Sequence, residues 1–164
     1  MKKISILIAL IFSMAVSAYA LTYEEVFETI KNMPQMKGVA ATMLDGNNDF
    51  SAIGVTDGQL VVWSGERDGQ TEAYGNELYK LMGGLPASEI IQCRMTDSTI
   101  FAIFAHPLPD GSYRVLILSD SSYSGFTGAL IGHIGADALN ALRGAILTPR
   151  PEGGTALYLN ALNF

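Results

Sequence analysis

Cysteine is nearly missing from this chain of 164 residues: Cys93 is the only one. No internal disulfide can form, and no cluster of thiolates can build a zinc site. Histidine is almost as scarce, with His106 and His133 alone. Neither belongs to a run with the three or four ligands that a metal centre needs. Basic residues are also few. Ten Lys and Arg stand against sixteen Asp and Glu, a net charge of −6. Nucleic acids and anionic membranes are approached through Lys and Arg, so an acidic chain excludes both as electrostatic partners. A glycine loop of the Walker or dinucleotide type is absent, and no cofactor is expected. With one Trp in the chain, Trp63, Tyr74 and Tyr79 read as packing residues rather than as the wall of a sugar cleft.

What is present begins with an address. Lys2 and Lys3 precede an apolar run from Ile4 to Val16, and Ala18-Tyr19-Ala20 places small residues where signal peptidase cuts. Residues 1–20 therefore read as a cleaved leader of the bacterial export type, giving a periplasmic or extracellular protein. The mature chain starts at Leu21 and reads as one domain, 21–164, without stable membrane insertion. Loss of the two leader lysines leaves eight basic residues against sixteen acidic ones, a net charge of −8. No cysteine follows the cut, so lipid attachment there is excluded. An exported protein without disulfides must be held by packing.

Periodicity supplies the elements. Thr22 and Glu25 have capping-box spacing, Leu21 and Val26 that of a hydrophobic staple, and Phe27, Ile30 and Met33 continue a helix that Pro34 ends. Three strands are expected at 38–44, 50–56 and 59–64, with turns at Asp45-Gly46-Asn47-Asn48 and Asp57-Gly58. Tyr74, Leu78 and Leu81 share one face of a helix over 70–82, closed by Gly83-Gly84. Three more strands follow at 89–95, 100–105 and 113–118, joined at Asp97-Ser98 and Asp110-Gly111. The middle one, apolar on both faces, reads as central. Phe126, Leu130, Ile134, Ala138 and Leu142 predict a third helix within 124–144, and 156–162 reads as a last strand or a docked tail. The expectation is an α+β fold: an antiparallel sheet of about six strands, in α-βββ-α-βββ-α order, with the helices packed on one face. That order is similar to the acidic, dimeric secretion-chaperone fold, a resemblance of architecture that transfers no site residues.

Several patterns invite chemistry, and each has a plainer reading. Asp45, Asn47 and Asp49 offer oxygens at alternate positions as a calcium loop does, but Phe50 and Thr56 stand where the EF-hand pattern needs Gly and Glu. A hairpin loop accounts for the same residues. His133 and Asp137 fit an i,i+4 pair on the third helix, and His106 opens a loop between strands; a structural or solvated role suits both. The run Ser119–Gly125 could supply a serine nucleophile, with Asp120, Ser122 and Ser124 joining His106 as catalytic candidates. The Gly-x-Ser-x-Gly elbow is absent, and Ser and Asp serve equally as helix caps. Gly128, Gly132 and Ala136 would let a second backbone approach the third helix, either the chain's own sheet or a partner. Cys93 alternates with Ile91 and Met95, which points it into the core.

The reading that results is a small exported binding domain, acting on another envelope protein or on itself as a homodimer. The competing reading is a small hydrolase or ligand-binding enzyme centred on Ser119–Gly125 and His106.

Overall fold

The structure, a computed structural model, describes residues 20–44, 54–63, 71–96, 99–121 and 127–143. Helix α1 (Tyr23–Lys31) comes first, then strands β1 (Thr42–Leu44) and β2 (Val55–Val62), and helix α2 (Thr71–Gly83). Four strands follow in succession: β3 (Ile90–Thr96), β4 (Thr99–Pro107), β5 (Tyr113–Ser121) and β6 (Thr127–Ile134). Helix α3 (Ala136–Arg143) comes last. The six strands form one sheet in the order β1-β2-β6-β5-β4-β3, antiparallel throughout. The fold is α+β, as the sequence implies.

Helix α1 begins as its cap residues dictate. The Glu25 backbone N–H donates to the Thr22 hydroxyl at 3.2 Å, and Thr22 N–H donates back to Glu25 Oε2 at 2.8 Å. Donation to the Glu25 carboxylate by the Thr22 backbone N–H, and by the Thr22 hydroxyl at 3.0 Å, holds that carboxyl below its ordinary pKa. Tyr23, Val26, Phe27 and Ile30 fall on one buried face at spacings of three and four. The Leu21 backbone N–H donates to Gly84 O at 2.9 Å, which ties the entry of α1 to the exit of α2. In α2, Tyr74, Leu78 and Leu81 are buried as their spacing requires.

The sheet is covered on both sides. Side chains alternate across a strand, so Phe104, Leu116, Leu118 and Ile131 pack with α1 and α2, while Phe101, Ile103, Ile117 and Leu130 pack in a second cluster. Leu139 and Leu142 of α3 belong to that second cluster. The helices thus divide two and one between the faces, rather than sharing one.

The strands also divide differently, two before α2 and four after it among the described residues. Asp57-Gly58 is not a hairpin turn. It is a bulge inside the single strand β2, where pairing with β6 slips between Thr56 and Gln59 and Asp57 takes a φ of +47°. A turn and a bulge demand the same left-handed residue, so the sequence signal is shared.

The larger correction concerns 127–134, expected as helix and found as the inner strand β6. Phe126, Leu130 and Ile134 recur every four residues. Four is close to one helical turn but is also even, so the same spacing marks one side of a strand. Two glycines weigh against a helix, since each costs it about 1 kcal/mol relative to Ala, and the flanking strands β2 and β5 decide for a strand. Gly128 and Gly132 therefore admit the neighbouring strand β2 of the chain's own sheet. A Cβ on Gly128 would stand 1.9 Å from Val61 O, and one on Gly132 would stand 2.5 Å from Val55 Cγ1. Ala136 starts α3 and is exposed.

Cys93 is exposed, not buried. It sits on β3, which among the described residues pairs only with β4. Pairing is irregular between Ile90 and Gln92, so Ile91 packs on the second cluster while Cys93 lies opposite Ala102 of the first. Met95 on the same strand is 45% exposed. Residues 1–19 of the leader, Asp45, Asn47, Asp49 and 156–162 lie outside the described residues.

Candidate functional site

Three neighbouring strands bring one row of polar side chains to the end of the sheet nearest the start of α1. His106 on β4 lies opposite Arg114 on β5, and Arg114 lies opposite His133 on β6. Directly opposed residues share a face. Each is two residues from a member of the first cluster: Phe104, Leu116 and Ile131. The row therefore continues the apolar face under α1 and α2, at the point where that face meets solvent. The β4–β5 turn that sets this register is itself fixed: Gly111 takes a φ of +84°, and Ser112 N–H and Oγ–H donate to Asp110 Oδ1 at 2.9 and 2.6 Å.

Two carboxylates close on the row from other elements. Glu89 ends the 3-10 turn Ala87–Glu89 ahead of β3. Its Oε1 lies 2.6 Å from His106 Nδ1, and its Oε2 accepts from the Tyr23 hydroxyl at 2.7 Å. A carboxylate can only accept, so His106 Nδ1 carries a proton and its Nε2 is turned away from Glu89. Burial above all, then the hydrogen bond to Glu89 and its negative charge, push the Tyr23 phenol pKa up. Glu24, in the first turn of α1, accepts from Arg114 Nε at 2.9 Å. Arg114 Nη1 makes two longer contacts, 3.5 Å to Asp57 O and 3.4 Å to His133 Nδ1. A guanidinium only donates, so His133 Nδ1 accepts and its ring proton sits on Nε2.

These groups line a groove of about 530 Å³, whose other walls include Leu21, Pro86 and Leu108. Both histidines of the chain are in it. Its size is that of a small-molecule site, and its mixture of apolar wall with a few aimed polar groups is the usual composition of one. A larger depression, about 690 Å³, lies between α1 and α2 around Glu28, Asn32, Pro34 and Glu77. Its two acids are already paired, Glu28 with Lys31 and Glu77 with Lys80, and no histidine or arginine lines it. The groove, not the depression, gathers the chemistry.

Of the residues singled out from sequence, His106 and His133 come together. Their expected companions do not. Ser119 and Asp120 are buried on β5 at the other end of the sheet, opposite Phe101 and Ile100. Five residues of strand separate Ser119 from Arg114, roughly 17 Å at the usual rise, so neither Ser119 nor Asp120 can act with His106. Ser122 and Ser124 lie outside the described residues. His133 is on a strand and Asp137 in the first turn of α3, so no helical pair orients that imidazole. Among the described residues no group of three or more His, Cys, Asp or Glu is placed to hold a metal ion. Trp63 packs its ring against Tyr74 in the core, centroids 6.4 Å apart, and Tyr79 is exposed.

Sequence reasoning missed Tyr23, Glu24, Glu89 and Arg114. A signal for Arg114 was available. A loop centred on Asp110 sets His106, four residues before it, against Arg114, four after it, whereas a two-residue Asp110-Gly111 turn would set His106 against Val115. Glu24 and Glu89 carried no comparable mark, because nothing local says which part of the sheet α1 will cover.

Comparison with known protein families, with curated proteins and with solved structures finds no match to this chain.

Proposed function

We propose that this chain is an exported, non-enzymatic binding module of the bacterial envelope, with its ligand held in the groove at the start of α1. One observation carries the reading. His106, Arg114 and His133 stand on three strands, yet they converge with Glu24, Glu89 and Tyr23 on one cavity of ligand size. Groups this costly to gather at a core edge are more simply explained by a ligand than by stability, since exposed ion pairs contribute little. Binding rather than turnover is supported by the fate of the nearby hydroxyls. Thr22 spends its oxygen on the helix cap, and Tyr23 donates to Glu89. Export is supported by the leader pattern of residues 1–20.

Both parts can be tested. Mass spectrometry of the protein from a cell-envelope fraction should give a chain beginning at Leu21; an intact leader on protein found only in the cytoplasm would sink export. A small-molecule screen read by amide resonances should give hits that shift Tyr23, His106 and His133, and Arg114→Gln should weaken those hits at least tenfold, about 1.4 kcal/mol. Hits that map elsewhere, or ester turnover abolished by His106→Gln, would overturn the reading.

A further inference from the structure

We infer that the groove takes a small monocarboxylic acid with an apolar body, and that Glu24 keeps the place of the ligand's carboxylate. The inference rests on the groove being a ligand site and adds what that ligand must carry.

Arg114 is the reason. Its side chain is held on a central strand with 20% of its surface exposed. A guanidinium has five N–H groups in a planar fork suited to both oxygens of a carboxylate. Here, among the described residues, one short bond uses the fork, from Nε to a single oxygen of Glu24, while the Nη1 contacts are long. The occupant is easily moved. Glu24 is 60% exposed, and a rotation of its side chain carries the carboxylate into water without disturbing the backbone of α1.

Charge decides the class of ligand. Glu89 cannot follow Glu24 out, because it is tied to Tyr23 and His106. When Glu24 leaves, the groove loses one negative charge, and a monocarboxylate restores it. A neutral ligand gains nothing from Arg114 while Glu24 remains. A cation would face Arg114 directly, and a dianion would bring one charge more than the exchange removes. Leu21, Pro86 and Leu108 supply an apolar wall for the rest of the molecule.

The experiment titrates the purified protein with hexanoate, its neutral amide hexanamide and inorganic phosphate, following the Arg114 Nε–H and the His133 ring resonances. Hexanoate should bind and the other two should not. Glu24→Gln removes the competitor but keeps its shape, so hexanoate should bind that variant about tenfold more tightly, as expected when a competing state is removed. Arg114→Gln should bind hexanoate at least tenfold more weakly, with thermal unfolding confirming that the variant folds. Equal affinity of hexanoate for wild type and Glu24→Gln would overturn the exchange. Equal binding of hexanamide, or of phosphate, would overturn the carboxylate assignment while ligand binding in the groove stands. Groove resonances unmoved by all three probes and by every compound of the screen would end both readings.

Discussion

Tyr23 donates its hydroxyl proton to Glu89 from a ring that is almost fully buried against Phe104. Burial and the adjacent carboxylate both resist ionisation, so the folded protein holds this proton at a pH where the unfolded chain releases it. The stability this provides is complete below the unfolded phenol pKa of about 10 and is lost as pH rises above it. The urea midpoint of the wild type should therefore fall steeply above about pH 10. Tyr23→Phe removes the titrating group, so its alkaline slope should be shallower, and at neutral pH it should cost about 1 kcal/mol for the lost bond. An unchanged slope in the variant would show that another group carries the alkaline transition. Losing the Tyr23 bond should also free the Glu89–His106 pair to move, so the resonances of His106 are a second readout of the same change.

Strand β6 shows how a residue with no side chain fixes an element. Apart from His133 its residues are buried, since β2 and β5 flank it and both faces are covered. Gly128 is in contact distance of the β2 backbone at Val61, so any Cβ must push β2 and β6 apart. Gly128→Val should cost about 2–3 kcal/mol by overpacking, read as a shift in denaturant midpoint. A neutral result would show that no neighbouring backbone lies against Gly128. The bulge at Asp57-Gly58 belongs to the same pair of strands. It places Asp57 O within 3.5 Å of Arg114 Nη1, so an irregularity in β2 touches the guanidinium that lines the groove.

Across the molecule, one sheet is shared by two apolar clusters, and its central strands β6, β5 and β4 contribute to both. Neither cluster can come apart without uncovering the strands of the other. Unfolding should therefore be a single cooperative step, despite helices on opposite faces. Trp63 reports on the first cluster, where it packs on Tyr74, and far-ultraviolet circular dichroism reports on the whole chain. The two denaturation curves should coincide; separated midpoints would show that the α3 side unfolds on its own. Among the described residues no helix is long and apolar enough to cross a membrane.

Much of this was readable from local chemistry. The cap of α1, the buried stripes of α1 and α2, the β4–β5 hairpin and the α+β class follow from patterns within a dozen residues, where side-chain spacing and turn residues act directly on the backbone. Three things were not. Whether a four-residue apolar spacing is helix or strand was decided by the neighbours on each side of β6. Whether Cys93 points inward was decided by the position of β3 at the edge of the sheet. The groove itself depends on strand order, because only the adjacency of β4, β5 and β6 aligns His106, Arg114 and His133, and only the docking of α1 over that row adds Tyr23 and Glu24. Local patterns specify which faces must be buried. They do not specify which buried face meets which, and a site assembled from five separate segments exists only once that pairing is made.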